Sequence, residues 1–324
     1  MKTFKKGLIV FTVVSLLLGL TGFSSAKSLD NFPSDPIQLI VPYGPGGSTD
    51  RMARVVAGVA KDYFPVPLRV ITMPGAGSSK GTKYVFDSKP DGYTLLVNIS
   101  WALIISSYLQ KVPYTTVDFK GICQLDVQNI AWAVRSDSQW KTFPEFVKYA
   151  RSNPGKLSYA SSGVGGSSHI ITEMIMDKNK IELVHVPYKG GAAAVLALLG
   201  GHVDVACNVF GALMPSIKAG DVRILAQFTR ERSGLLPEVP TAIEQGFDIV
   251  VSLGNGITAR ADVPQERINY LEERFLKILA DQSFISLATK TGAEPSPIGA
   301  ADYTQYLYRL NEELKPIIKK VTSK

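Results

Sequence analysis

Short, mostly apolar runs alternate along the chain with stretches whose apolar residues recur every three or four positions. Residues 38–41 are a run of the kind that fills a parallel strand, and Met52, Val55, Val56, Val59, Ala60 and Tyr63 then follow at helical spacing. Residues 68–72 and 94–99 are further strand-like runs, the second introduced by the turn Asp91-Gly92-Tyr93. Residues 122–134 form a long apolar stretch broken by Asp126, Gln128 and Asn129, and a fresh set of elements starts after it. That set predicts a helix over 143–152, a strand over 157–160, a helix carrying Ile170, Ile171, Met174 and Ile175, and a strand from Leu183. An apolar helix over 192–199 and a strand over 203–208 follow. Toward the end, Ile268, Leu271, Phe275 and Ile278 share one helical face, and Tyr303, Leu307, Leu310, Leu314 and Ile317 share another; both stripes read as core, with the helices covering the first half of the fold. Residues 319–324 read as a solvated tail. Strands and helices in alternation predict an α/β class with parallel sheets covered on both faces.

Three strand ends run into glycine-rich turns that open helices. The first is Tyr43-Gly44-Pro45-Gly46-Gly47-Ser48-Thr49-Asp50, with Ser48 as the expected N-cap and Asp50 in the first helical turn. The second is Ser161-Ser162-Gly163-Val164-Gly165-Gly166-Ser167-Ser168-His169, and the third is Pro187-Tyr188-Lys189-Gly190-Gly191. Such turns present backbone N–H groups and the positive end of a helix dipole, a ready place for a carboxylate or phosphate. In open α/β sheets the carboxyl ends of the strands are where ligands bind.

Composition narrows the function. The first 26 residues read as a secretion signal: Lys2, Lys5 and Lys6, an apolar run over 7–20 too short to span a bilayer, and small residues at Ser24 and Ala26 before the cut. No cysteine lies near that cut, so the mature chain is expected to be soluble and periplasmic. The formal charge is +7 over 324 residues, and the leader carries three lysines and no acid, which leaves the mature chain at +4. This mild charge without a basic run, in an exported chain, argues against nucleic acid as a partner. Cys123 and Cys207 read as two buried free thiols in different halves. His169, His185 and His202 have no zinc spacing, so neither a metal nor a cofactor is expected. Pro74 to Gly81 contains GxGxxxG, one position late for a dinucleotide turn, and Walker A is missing. No GxSxG elbow surrounds Ser167 or Ser168, and His169 reads as a packing or capping residue.

The motifs together resemble the receptors of tripartite tricarboxylate transporters, the TctC-like or Bug family. The resemblance rests on Pro36-Ile37-Gln38-Leu39-Ile40-Val41-Pro42 running into Pro45-Gly46-Gly47-Ser48-Thr49-Asp50, on Pro90-Asp91-Gly92-Tyr93-Thr94-Leu95-Leu96, and on the turn ending at His169. It continues with Val186-Pro187-Tyr188-Lys189-Gly190-Gly191, Gly200-Gly201-His202-Val203-Asp204, Ile217-Lys218-Ala219-Gly220 and Leu236-Pro237-Glu238-Val239-Pro240-Thr241. It implies the type II periplasmic-binding-protein fold, two Rossmann-like α/β lobes joined by two crossing strands with a ligand cleft between them. The lobes implied are 27–130 with 253–324, and 131–252, and the return crossing falls near 250–254. The implied ligand is a small carboxylate held largely by main-chain N–H groups. Carried over by position, the site comprises Tyr43, Gly46, Gly47, Ser48, Thr49 and Asp50 from the first lobe, and Ser162, Gly163, Ser167, Tyr188 and Asn208 from the second. Two stretches depart from the family: Asn98-Ile99-Ser100-Trp101 stands where a small polar turn is usual, and Gly254-Asn255-Gly256 where Trp-Tyr-Gly is common. Both lie near the cleft, and Ser100 joins the expected ligand-binding set.

The reading is a monomeric solute-binding protein and no enzyme, with membrane subunits of a tripartite tricarboxylate-type transporter as partners. A ligand-binding input for a two-component sensor would have the same sequence features, and a secreted hydrolase is a third reading.

Overall fold

The computed structural model describes residues 31–291 and 293–322. The secretion signal read at residues 1–26 therefore lies outside the described residues. The first half of the chain runs β1 (Ile37–Val41), α1 (Ser48–Val59), β2 (Leu68–Thr72), α2 (Ser79–Asp87), β3 (Thr94–Ile99), α3 (Ser100–Leu109) and β4 (Phe119–Arg135). The middle runs α4 (Phe143–Ser152), β5 (Leu157–Ser161), α5 (Ser167–Asn179), β6 (Leu183–Pro187), α6 (Gly191–Leu199), β7 (Val205–Val209), α7 (Phe210–Ala219) and β8 (Val222–Gln227). The chain closes with β9 (Ser252–Leu253), β10 (Asn255–Arg260), α8 (Gln265–Ala280), α9 (Gln282–Lys290), β11 (Glu294–Ile298) and α10 (Ala300–Thr322).

Strand order explains where the site falls. β2, β1 and β3 are parallel neighbours, and β10 joins β3 antiparallel. β6, β5 and β7 form a second parallel set. The 17-residue β4 serves both. Its first half pairs antiparallel with β10 and β11, and its second half pairs antiparallel with β7 and β8. Between them, Gln128 and Asn129 pair with Leu253 and Ser252 of β9. The polar breaks in the apolar run over 122–134 are thus the midpoint of the strand that joins the two sets. The apolar positions on either side, from Phe119 and Ile122 to Trp132 and Val134, are buried in the helix-covered sheets.

The two departures from the family pattern hold this crossing in place. The Trp101 indole donates to the Ser252 carbonyl at 2.9 Å, and the Tyr306 hydroxyl donates to the same oxygen at 3.1 Å. Gly254 and Gly256 are required by close approach. A Cβ on Gly254 would lie 2.6 Å from the Asp126 carbonyl oxygen, and one on Gly256 would lie 2.0 Å from the Tyr303 hydroxyl. Cys123 and Cys207 are buried free thiols.

The C-terminal helix differs from expectation in three ways. It continues through Thr322, so a solvated tail from residue 319 is not what forms. Its buried face ends on Ile318, whereas Ile317 is only partly buried. Leu310, Leu314 and Ile318 share a cluster with Trp132, Ile170 and Ile175, so α10 packs against elements of both parallel sets rather than the first alone. The apolar periodicity carries the helix through its last four residues, 319–322, despite the basic ending, and Lys319 and Lys320 complement the helix C-terminus.

Candidate functional site

A cavity of about 470 Å³ lies where β4 passes between the two sets of strands. Asp126, Gln128, Asn129 and Ile130 form its β4 wall, with Leu253 beside them. The rest of the lining is dominated by the first residues of four helices: Ser48 of α1, Ser167 and Ser168 of α5, Gly191 and Ala192 of α6, and Phe210, Gly211 and Ala212 of α7. These are first-turn positions, whose N–H groups have no partner within their own helix. The first intrahelical bonds come later, from Arg51 to Gly47, from Ile170 to Gly166 and from Ala194 to Gly190. The residues preceding the helices are Gly47, Gly166, Gly190 and Val209, and none places a side-chain cap on them. Ser48 therefore does not act as the N-cap; it is the first helical residue, and Gly47 takes the cap position with no side chain to cover the N–H groups. Eight uncapped first-turn N–H groups thus belong to residues around one cavity.

The first glycine-rich turn is braced from below. Gly46, at φ +79°, donates its N–H to Asp50 Oδ2 at 2.8 Å. Arg54 donates from Nε to the same oxygen at 3.1 Å and approaches Oδ1 with Nη2 at 3.0 Å. Burial would raise the Asp50 carboxyl, but the Arg54 and Gly46 hydrogen bonds outweigh it and hold it below the usual carboxylate range. Thr49 donates from its hydroxyl to Asn255 Oδ1 at 2.7 Å. Asn255 in turn donates to Asp126, from its N–H to Oδ1 at 2.7 Å and from Nδ2 to Oδ2 at 2.8 Å. Thr49, Asn255 and Asp126 are all buried, so this chain ties α1, β10 and β4 together behind the cavity wall. Arg51 is the one cationic side chain among the described lining residues, and its guanidinium donates to the Gly46 carbonyl.

The second glycine-rich turn satisfies most of its own donors. Ser162 N–H donates to Ser168 Oγ at 2.8 Å, Gly163 N–H to Ser161 Oγ at 3.2 Å, Gly165 N–H to His169 Nδ1 at 3.0 Å and Gly166 N–H to the Gly163 carbonyl at 3.1 Å. The N–H groups of Ser162, Gly163, Gly165 and Gly166 are therefore spent on the turn itself, and the first-turn donors of α5 follow them. His169 caps the turn, as its position in the sequence predicts. Its ring stacks on His185 with centroids 3.9 Å apart, and Tyr159 packs near-parallel to His185 at 4.8 Å and to His169 at 6.4 Å. Burial pulls the His185 imidazole below its usual value, against the attraction of Glu173. Ser161 Oγ lies 2.7 Å from His185 Nε2, but Ser161 is fully buried at a strand end, out of reach of a substrate.

Of the residues expected in the site, Gly47, Ser48, Ser162, Ser167 and Asn208 line the cavity. Tyr43 and Gly163 line an adjoining chamber that shares Ile99, Ser162 and Ser167 with it. Asn208 also ties two helix starts together, donating from Nδ2 to the Gly191 carbonyl and accepting from Val209 N–H, both at 2.9 Å. Gly46, Thr49 and Asp50 support the first turn and line neither chamber, and the polar side-chain atoms of Thr49 and Asp50 are engaged within the protein. Ser100 is buried at the start of α3, where its N–H donates to the Gly254 carbonyl at 3.1 Å. Tyr188 packs against the cluster of Ala194, Leu198 and Phe210 and lies outside both linings. Sequence reasoning missed Asp126, Gln128, Asn129, Gly191, Ala192 and residues 210–212. The polar breaks in an apolar strand marked the first three, and the glycines before and within the first turns of α6 and α7 marked the others.

An α/β protein with two parallel strand sets, a shared long strand, and helix N-termini facing one cavity is a solute-binding protein by architecture. The chain belongs to the tripartite tricarboxylate transporter family of receptors, whose family model matches residues 52–322. That family is one of binding proteins rather than enzymes. The chain is 32% identical over 305 residues to the "UPF0065 protein in gbd 5'region" of Cupriavidus necator, covering 94% of this chain and 93% of that one. A TctC solute-binding protein from Polaromonas, solved without ligand, superposes with a TM-score of 0.80 at 28% identity, over 89% of this chain and 99% of that one. MatC from Rhodopseudomonas palustris, solved with bound malate, superposes with a TM-score of 0.72 at 24% identity, over 89% of this chain and all of that one; this likeness carries the fold alone.

Proposed function

We propose that this protein is an extracytoplasmic receptor that captures a small organic solute bearing a carboxylate and delivers it to the membrane subunits of a tripartite tricarboxylate-type transporter. Export through a cleavable signal over residues 1–26 would place it in the periplasm. Residues 27–130 with 253–324 and residues 131–252 then act as two lobes, and the ligand sits between them. The observation that carries the reading is the ring of eight uncapped first-turn N–H groups around one cavity. Each helix end contributes about half a positive charge, so four ends supply roughly two. A hydrogen bond to a charged acceptor contributes about 1.5–3 kcal/mol, so a few of them reach the roughly 8 kcal/mol of micromolar affinity after ordering costs. The side chains add little net charge, because Arg51 and Asp126 oppose each other. Lys189 lies outside both linings.

Calorimetry of the mature protein against carboxylic acids and their matched primary amides tests this. The acids are expected to bind and the amides to bind at least tenfold more weakly. Equal affinities within acid–amide pairs would remove the anion from the recognition.

A further inference from the structure

The adjoining chamber, about 380 Å³, opens beside the helix-end cavity and shares Ile99, Ser162 and Ser167 with it. Its chemistry is different. Among the described residues, no Asp, Glu, Lys, Arg or His lines it. Ile99, Ala102, Ile105 and Leu109 form one side, and Val164, 75% exposed at the tip of the second glycine-rich turn, overhangs the other. Most of the polar atoms there are already engaged, and the Gln110 side-chain amide and Ser167 add only uncharged groups. Tyr43 donates to Asn98 Oδ1 at 2.6 Å, and Ser106 Oγ donates to the Leu103 carbonyl at 3.1 Å. The turn's own N–H groups at Ser162, Gly163, Gly165 and Gly166 are bonded within the turn.

A second carboxylate placed in this chamber would lose its hydration and meet no cation in return, which is strongly unfavourable. A second carboxylate kept in the first cavity would share it with Asp126. An uncharged apolar body suits the second chamber, since burying it there removes apolar surface on both sides from water. Resting on the carboxylate-receptor reading above, we infer that the ligand is a monocarboxylate with an apolar body. Its carboxylate lies at the helix ends, and its hydrocarbon portion runs past Ile99 into the chamber formed by Ala102, Ile105, Leu109 and Val164. The site therefore selects against the di- and tricarboxylates of similar length.

Calorimetry with the mature wild-type protein tests this with the straight-chain acids from propionate to octanoate, with phenylacetate, and with succinate, adipate and citrate. Affinity is expected to rise roughly fourfold per added methylene until the chamber is full. Hexanoate is expected to bind on the order of tenfold or more tighter than adipate, which has the same number of carbons. A series flat in chain length, or tighter binding of succinate, adipate or citrate, overturns the inference and leaves the carboxylate reading standing. Absence of binding by every acid in the set overturns both. Ala102→Trp, which fills the chamber, provides a second measure. Octanoate affinity should fall by a much larger factor than butyrate affinity, flattening the dependence on chain length; equal losses for both acids count against the chamber. The wild-type series decides the matter even where that variant does not fold.

Discussion

Asp126 gives the sharpest physical test of the cavity wall. It is fully buried at the middle of β4, and burial pushes its carboxyl up from the usual 3.8 to about 6, against the pull of the Asn255 N–H groups. At about 1.36 kcal/mol per pH unit that difference corresponds to roughly 3 kcal/mol in favour of the neutral form. The sign follows from proton counts. In the window between 3.8 and about 6 the folded chain holds a proton that the unfolded chain has released, so stability falls as pH rises. The group's contribution is fully present below 3.8 and is lost as pH climbs through about 6. Roughly 2 kcal/mol of the change should fall between about pH 4.5 and 7.5. Asp126→Asn has nearly the same shape and does not titrate. Its amide places an NH₂ against Asn255 Nδ2, which costs about 1–3 kcal/mol, but that cost does not vary with pH. Urea unfolding of both proteins across this range isolates the group, because all other titrations cancel in the difference. Variant minus wild-type stability is expected to shift by about 2 kcal/mol toward the variant as pH rises. A flat difference, or one that shifts toward the wild type, would show that Asp126 ionises at its ordinary value and that the wall is wetter than the geometry implies.

Two further substitutions separate support from contact. Asp50→Ala removes the acceptor of the Gly46 N–H and of Arg54, and should lower stability by about 1.5–3 kcal/mol in urea unfolding at neutral pH. Because the Asp50 carboxyl is held below 3.8, this difference should shrink as pH falls below that value; an unchanged difference in acid would remove the brace. Gly191→Ala puts a Cβ 2.9 Å from Asn208 Oδ1 and 3.0 Å from Nδ2, at the joint of two helix starts. Calorimetry with an identified carboxylate should show a larger loss for Gly191→Ala than for Arg51→Ala, and the reverse order would point to a guanidinium clamp instead of backbone donors.

Much of the fold was legible because its signals are local. The alternation of strand-like runs with helical periodicity marks β1, β2, β3, α4, β5, α6 and β7 to within a residue or two, whereas α2, α3 and α7 are not predicted and β4 begins three residues before the run read for it; the glycine-rich turns mark the ends of β1, β5 and β6. The site was legible at the level of turns and less so at the level of atoms. Ser48 looks like a cap because serine usually caps, yet Gly47 holds that position and leaves the donors bare. Asp50 and Thr49 sit in the motif but spend their polar atoms on Gly46, Arg54 and Asn255, partners up to 206 positions away in the chain. Ser100 and Tyr188 follow the right strands but are turned into packing by Gly254 and the α6–α7 cluster. No periodicity reports such choices, because they depend on which elements lie behind the turn. The long strand is the counter-example. Asp126, Gln128 and Asn129 stand out in an apolar run, and buried polar residues there need a reason, which the shared wall provides.

The use of helix ends in place of lysines has a consequence for how a receptor of this kind would signal occupancy. A lysine or arginine that gripped the anion would lose up to about 2 kcal/mol of side-chain freedom on binding. Backbone N–H groups at Ser48, Ser167, Gly191 and Gly211 are held by their helices and lose almost none. The donors are divided between the two strand sets: α1 follows β1, while α5, α6 and α7 follow β5, β6 and β7. On the proposed reading, a carboxylate bound to one set alone receives only part of the available positive potential, and the remainder is realised when the other set reaches it. Ligand affinity and closure are then one free energy, since the contacts that favour the closed form exist only there. Gln128 lies at the pivot of this arrangement. It sits mid-strand between the two sets and places Nε2 3.4 Å from the Ser48 hydroxyl, so the strand that joins the two sets also touches the first donor.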